Sequence, residues 1–197
     1  AFSPSYTLRW FMRNREEDLL QFIEEDPRSL AIALNSIAQS LIKFNRVLIE
    51  ETGVEGFYYC VNNQNNFFEE SLFKAYVAPH EMEVLEEAND LSDINILHIC
   101  GYDGLSNDLK LFKDFEAAAF NWDVEAEGIS LTEGKKLFGG KAVIGGFEQD
   151  QVIYTGTREE IEKATFDILD ECGQVGTIIG AGCTLPTDIE EIRLEWV

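Results

Sequence analysis

Apolar residues recur in two patterns that alternate along the chain from about residue 56 onward. Short continuous apolar runs, typical of strands buried on both faces, are followed by stretches whose apolar residues recur at the three- and four-residue spacing of amphipathic helices. Five runs predict strands: GFYYCVN (56–62), INILHIC (94–100), AAAFNW (117–122), KAVIGG (141–146) and GTIIGAGC (176–183). Helices between successive strands imply parallel strands, so the sequence predicts an α/β protein of five βα units.

The clearest helix is predicted from Asp26 to about Glu51. Asp26 is a good N-cap, Pro27 suits the first helical position, and Gly53 suits the residue after the end. Its apolar stripe comprises Leu30, Leu34, Ile37, Leu41, Phe44 and Leu48. Other helices are predicted at about Phe67–Asn89, SNDLKLFKDF, SLTEGKKLF, TREEIEKATFDILDECG and from about Asp188 to the end. The first 50 or so residues contain no convincing strand.

No linker or low-complexity segment divides the chain, so we expect one domain over residues 1–197. A closed (β/α)8 barrel needs eight strands and ~250 residues. The chain is therefore either an open five-stranded sheet or the last five units of a TIM-type barrel. The second alternative exposes two strand edges, and we expect a second copy to cover them in a homodimer.

Composition excludes several functions. With 37 acidic and 15 basic residues the net charge is −22, which argues against binding nucleic acid or anionic membrane. No apolar stretch is long enough to span a membrane, and charges near the start argue against a signal peptide. Four scattered cysteines predict a reducing, cytoplasmic compartment.

Polar residues at the carboxyl ends of the predicted strands are the candidates for chemistry, because parallel α/β folds place their sites there. His98 and Cys100 lie two apart on one strand and share a face, and Cys183 ends the last strand. One imidazole and two thiolates suit zinc, with a fourth position left for substrate, water or a carboxylate. The alternative is that these are ordinary buried residues; Cys60 and Cys172 lack the strand-end context.

Further candidates follow the other strands. Asn121 and Asp123 are predicted to act at the site by orienting His98. Asp103, Gly145, Gly146 and Glu148 are predicted to contact a cofactor or ligand, although the two glycines also suit a tight turn. The sequence carries no dinucleotide fingerprint, phosphate loop or serine-nucleophile motif.

The segments ILHICG, FNWD, KAVIGG and GAGCTLP, in that order, resemble the C-terminal part of the uroporphyrinogen decarboxylase superfamily. SPSYTLRWFM and EDPRSLAIALNSIAQSLIKF resemble the family's motif and long helix before it. The resemblance covers essentially the whole chain and implies a (β/α)8 barrel with ~150 further residues before it.

Within that superfamily, the decarboxylases work without metal. They typically carry a Tyr where this chain has Phe11 and a Ser near the position of Asn62. Their last strand ends in G-H-G, where this chain has Gly180, Ala181 and Gly182 followed by Cys183. The zinc- and corrinoid-dependent methyltransferases are instead marked by H-x-C and a distant Cys, as in His98, Cys100 and Cys183.

The resemblance therefore implies a methyltransferase that moves a methyl group between a corrinoid, free or on a corrinoid protein, and a zinc-activated thiol or tetrahydrofolate. A decarboxylase-like lyase and a non-catalytic barrel fragment are the alternatives.

Overall fold

The computed structural model describes residues 2–13, 15–101 and 104–197. Its five strands form one parallel sheet in sequence order, with helical segments between them. The strands are β1 (Tyr58–Val61), β2 (Ile96–Ile99), β3 (Ala119–Trp122), β4 (Ala142–Phe147) and β5 (Thr177–Ala181). All five predicted strands are confirmed, and with them the α/β class.

The chain divides into two compact units. The first comprises Ala1–His98 and Asp114–Ala118, and the second comprises Ile99–Lys113 and Ala119–Val197. Nine α-helices are assigned within the described residues: α1 (Pro4–Phe11), α2 (Glu16–Glu25), α3 (Pro27–Thr52), α4 (Glu70–Leu72), α5 (Ala78–Asn89), α6 (Val124–Glu127), α7 (Leu131–Leu137), α8 (Val152–Thr155) and α9 (Arg158–Cys172). In the part of the chain that the structure describes, none of these helices has the length and apolar character required to cross a membrane.

The long helix α3 begins and ends where the sequence predicts. The Asp26 side chain accepts from the backbone N–H of Arg28, and Pro27 occupies the first turn. Gly53 follows the helix with φ of 78°, a left-handed conformation that glycine adopts without steric cost. Leu30 and Leu34 of the predicted apolar stripe are buried, and so is Ala38 beside them, but Phe44 is 58% exposed, so the predicted stripe is buried only over its first turns.

The helix predicted at 67–89 is confirmed with one irregularity. α4 passes into a π-helical turn at Phe73–Val77, and α5 continues from Ala78. Pro79 lies just after this turn. Proline has no N–H to donate and its ring clashes with the carbonyl four residues earlier, so a widened turn accommodates it.

Two predicted helices are wrong. SNDLKLFKDF forms only a 3-10 helix at Leu109–Phe112, because the Asp108 side chain caps the Lys110 N–H and starts the turn late. The terminal segment is a 3-10 helix at Glu191–Trp196, where Arg193 donates through Nη1 to the Gly156 carbonyl at 2.6 Å. In both segments local capping and tertiary contacts override the helical periodicity.

The core of the second unit forms where helices pack on β3 and β4. Trp122 is fully buried and donates through Nε1 to the Ile129 carbonyl at 2.9 Å. The Phe120 and Phe138 rings stack at 4.0 Å between centroids. Gly134 of α7 lies under the Trp122 indole, where a Cβ atom would be 2.0 Å from the ring.

In the first unit, Glu81 of α5 is buried beside the start of α1. Its carboxylate accepts a hydrogen bond from the Ser5 hydroxyl, and the Tyr59 hydroxyl donates to its backbone carbonyl at 3.2 Å. Loss of hydration raises the pKa of Glu81 to about 7, although the serine hydroxyls and Arg9 oppose the shift.

This burial predicts a pH-dependent stability. The folded chain holds the Glu81 proton more tightly than the unfolded chain, where the pKa is near 4.5. The resulting stabilisation is complete below that pH and is lost as the pH rises through about 7, a change of roughly 3 kcal/mol. Urea unfolding at pH 5 and pH 8 should show this loss in the native chain and a flatter profile in Glu81→Gln. Glu86→Gln, at an exposed position of α5, is the matched control and should keep the native dependence on pH. If the free energy of unfolding changed equally between pH 5 and pH 8 in both variants, the assignment to Glu81 would be contradicted.

Candidate functional site

Cys100 and Cys183 meet in the second unit, one directly after β2 and the other two residues after β5. Their Sγ atoms are 4.0 Å apart. A disulfide would bring them to about 2.05 Å, whereas two thiolates on a tetrahedral zinc with bonds of about 2.3 Å lie about 3.8 Å apart. The observed separation therefore fits two ligands of one metal ion.

His98 lies on β2 and is buried, with its ring stacked on Tyr58 at 5.0 Å between centroids. The ligand atoms of Cys60 and His98, both in the first unit, lie within 4.8 Å of each other. An imidazole nitrogen and a thiolate sulfur are donors that zinc prefers, so each of these two residues can contribute a ligand to such an ion.

Cys60 is the residue that sequence reasoning missed. A signal existed, because Cys60 and His98 are each the next-to-last residue of a strand, and β1 and β2 are neighbours in a parallel sheet. Residues at such positions lie at one level when the register aligns the ends of the two strands, and here the ligand atoms of Cys60 and His98 lie within 4.8 Å of each other. The length of the apolar run GFYYCVN concealed this, because the run does not show where β1 ends.

Gly182 allows the segment after β5 to pass close to the end of β3. A Cβ atom on it would lie 2.8 Å from Asp123 Cα, and its N–H donates to the Phe147 carbonyl at 2.9 Å. This close approach sets the position of Cys183, the next residue. Gly182 therefore has a packing role at the site.

Asn121 is fully buried on β3. Its amide group donates to the carbonyls of Ile144 at 2.9 Å and Ala181 at 3.0 Å. These bonds connect β3 to the middle of β4 and to the last residue of β5. The predicted orientation of His98 by Asn121 stays a prediction.

Asp123 follows β3 and caps α6 by accepting from the Ala126 N–H at 2.8 Å. Burial, and then the charge and hydrogen bonding of Asp123, raise the pKa of Glu148 to about 7. Glu148 also accepts from the Glu125 N–H at 3.2 Å. The Glu148 carboxyl group therefore keeps its proton to a higher pH than an ordinary glutamate does.

Glu127 and Asn107 fasten the loop that follows Cys100. The backbone N–H of Asn107 donates to both Glu127 carboxylate oxygens, at 2.9 and 2.8 Å. The side-chain amide of Asn107 donates to the Cys100 carbonyl at 3.1 Å. Burial raises the pKa of Glu127 to about 7. Nothing in the sequence distinguishes Glu127 from the acidic residues of solvated helices.

A cavity of about 710 Å³ opens in the second unit beside Cys183. Its lining contains four carboxylates, from Asp123, Glu125, Glu148 and Asp150. None of the described residues that line the cavity is a lysine or an arginine, so the carboxyl groups give the cavity a negative potential. Such a cavity favours neutral or cationic molecules over anions.

The remaining candidates are the glycines of β4 and Asp103. A Cβ atom on Gly145 would lie 3.2 Å from Leu131 Cδ2, and one on Gly146 would lie 2.7 Å from Ile168 Cδ1. Both glycines thus allow helix side chains to approach β4, and their contact with a cofactor stays a prediction. Asp103 lies outside the described residues.

Comparison with known proteins gives one family and one fold. The family model described as uroporphyrinogen decarboxylase (URO-D) matches residues 4–197. The structure is similar to that of a methyltransferase from Methanosarcina mazei, with a TM-score of 0.79 and 14% identity over 99% of this chain. The chain spans 55% of that methyltransferase's length. No curated protein sequence matches significantly.

Proposed function

Because the chain belongs to the uroporphyrinogen decarboxylase (URO-D) family, we propose that it is a zinc-dependent methyltransferase of that family. In this proposal it moves a methyl group between a corrinoid and a thiol or tetrahydrofolate. The similarity in fold to a methyltransferase supports this reaction class. Because the chain spans about half of that protein, its activity, substrate and corrinoid-protein partner are all part of the proposal.

The observation that carries the proposal is the 4.0 Å separation of the Cys100 and Cys183 sulfurs. These residues are distant in sequence, and each follows the end of a strand. His98 lies on β2 and Cys100 directly follows that strand, so the alternation of side chains along an extended chain would place both on one face. His98, Cys100 and Cys183 would hold the zinc.

The bound zinc would stabilise the thiolate form of a substrate thiol near neutral pH. A carboxylate of the chain would accept the proton that the substrate thiol loses. Glu148 lines the same cavity as Cys183, and with a pKa of about 7 its carboxylate can accept the proton that a thiol loses. Burial, and then the charge of Asp123 beside it, keep that pKa high.

The cavity also indicates which thiols fit. Its volume lies within the 300–1,000 Å³ or so that is usual for small-molecule sites. Its carboxylates would repel a thiol that carries a sulfonate or carboxylate and attract one that carries an ammonium group. A single such charge contact contributes roughly 1–4 kcal/mol, depending on its exposure to water.

The test is methyl transfer from methylcobalamin to two small thiols of similar size, an aminothiol and a sulfonated thiol. We expect S-methylation of the aminothiol, with kcat/KM at least about tenfold higher than for the sulfonated thiol. Glu148→Gln should reduce this preference, because it removes one carboxylate from the cavity. Decarboxylation of uroporphyrinogen without methyl transfer would contradict the proposal and favour the lyase.

A further inference from the structure

The guanidinium group of Arg9, on α1, contacts the chain just after β1 in the first unit. Its Nη1 donates to Oδ1 of Asn62 at 2.7 Å, and Asn62 directly follows the last residue of β1. Asn62 is buried, so this bond is held within the protein. Parallel α/β folds bind their ligands at the carboxyl ends of strands, and the bond places the guanidinium group at such an end.

An aromatic ring supports the same guanidinium group. The Cζ atom of Arg9 lies over the Phe67 ring, 4.2 Å from its centroid. The turn that carries this ring is fastened by the buried side chain of Asn63. That side chain accepts from the Phe68 N–H and donates to the Phe68 carbonyl, both at 2.9 Å. A hydrogen bond and a ring contact therefore fix the Arg9 group in place.

One edge of the Arg9 guanidinium group has no hydrogen-bond partner among the described residues. Nε is buried without a partner, and the bond from Nη1 to Asn62 is the one that the group donates within the described part of the chain. Nε–H and one N–H of Nη2 point in the same direction, and their spacing matches two oxygens of a carboxylate or phosphate. The side chain as a whole is half-buried, so part of it is open to solvent.

The positive charge of Arg9 also lacks an ion pair within the described residues. Burial lowers the pKa of the guanidinium group because it excludes the water that would solvate the cation, although the charges of Glu16 and Glu81 oppose this shift. Glu81 accepts from Ser5 instead and has a pKa of about 7. A partly desolvated cation without a partner is costly, and an anionic ligand would remove that cost.

We propose that Arg9 binds the carboxylate or phosphate group of a ligand at the carboxyl end of β1, while Asn62 and Phe67 hold the guanidinium group in position. The anionic group accepts hydrogen bonds from Nε and Nη2, and no bond is made or broken there. The site lies within the first unit and needs no metal ion. It is therefore independent of the proposed zinc centre and of the acidic cavity beside Cys183.

The direct test is an NMR titration of the native chain in which phosphate or acetate replaces chloride at constant ionic strength. The Nε–H group of each arginine gives its own signal, and Arg9→Lys, which lacks that group, identifies the signal of Arg9. We expect this signal to shift and to saturate, because an oxoanion occupies the unpartnered edge. The anion that binds more tightly shows whether the site prefers a phosphate or a carboxylate.

Variants separate binding from a structural role, with the rise in melting temperature on adding the anion as the measurement. Arg9→Gln should abolish the rise. Arg9→Lys keeps the charge but loses the paired donors, so the affinity for the anion should fall about tenfold, the equivalent of one hydrogen bond. Arg13→Gln is the matched control, because it removes the same charge from an exposed arginine that lies over Trp10, and it should leave the rise unchanged.

Two results would overturn the proposal. One is an Arg9 signal that stays in place, or drifts without saturating, with both phosphate and acetate. The other is a rise in melting temperature that is as large in a folded Arg9→Gln variant as in the native chain. If Arg9→Gln does not fold, the titration of the native chain and the affinity of Arg9→Lys decide.

Discussion

Replacing Cys183 with serine is expected to lower the zinc content of the purified chain from about one ion per chain to nearly none. The residue supplies one of two sulfurs that lie 4.0 Å apart, and serine has a neutral hydroxyl in place of a soft thiolate. Losing an outer-shell partner of a metal ligand already weakens binding about 10–100-fold. Losing a ligand should therefore weaken it by more than about 100-fold.

Metal analysis after purification without chelator, followed by competition with a chromophoric chelator, measures this effect. Cys172→Ser is the matched control, because Cys172 is a free thiol at the end of α9 and should leave the zinc content unchanged. Circular dichroism separates metal loss from unfolding. A Cys183→Ser variant that keeps its zinc, or a folded native chain without any, would contradict the proposed centre.

Replacing Gly134 with alanine is expected to destabilise the second unit, although helix propensity alone predicts the opposite. Within a helix, alanine is favoured over glycine by about 1 kcal/mol. Here, however, the new Cβ would lie 2.0 Å from the buried Trp122 ring, and overpacking of this kind typically costs 1–3 kcal/mol and occasionally more. Because an approach of 2.0 Å puts the cost at the upper end of that range, we expect a net loss of roughly 2 kcal/mol in the free energy of unfolding.

Urea unfolding of the single and double variants tests the cause. The atoms that the new Cβ would meet belong to the six-membered ring of the indole, so Trp122→Phe removes the clash while leaving a cavity of its own. The loss caused by Gly134→Ala should therefore shrink or reverse in the Trp122→Phe background, which a double-mutant cycle reports as a coupling energy. A Gly134→Ala variant that is more stable than the native chain would show that α7 shifts freely.

The strands were predictable because burial on both faces leaves a strong signal in the sequence. KAVIGG and INILHIC are continuous apolar runs, and no helical periodicity competes with them. Burial also leaves an apolar pattern in the segment SNDLKLFKDF, and there the pattern led to a wrong prediction of an α-helix. Its buried leucines and phenylalanine belong to a 3-10 helix. Its conformation depends on the capping Asp108 and on tertiary packing, neither of which periodicity reports.

The candidate site was predictable in part. Strand ends of a parallel sheet converge, so Cys100 and Cys183 could be expected to lie together, and the structure places their sulfurs 4.0 Å apart. Cys60 could not be assigned in the same way, because the level of a residue depends on the register between strands. For Gly145 and Gly146 the sequence could not give the role. A glycine that makes room for a ligand and a glycine that makes room for a helix side chain look identical in sequence.

The hydrogen bonds of Asn121 affect how an asparagine shared at this position by relatives should be interpreted. Its amide hydrogens bond the Ile144 carbonyl in the middle of β4 and the Ala181 carbonyl at the end of the neighbouring strand β5. Aspartate has the same shape and carries no hydrogen to donate there, while glutamine is too long to reach both. Selection on the geometry of the sheet would thus preserve this asparagine whatever reaction the protein performs. An invariant asparagine at position 121 among relatives would be evidence of shared architecture, and a shared substrate would have to be inferred from the residues that line the cavity.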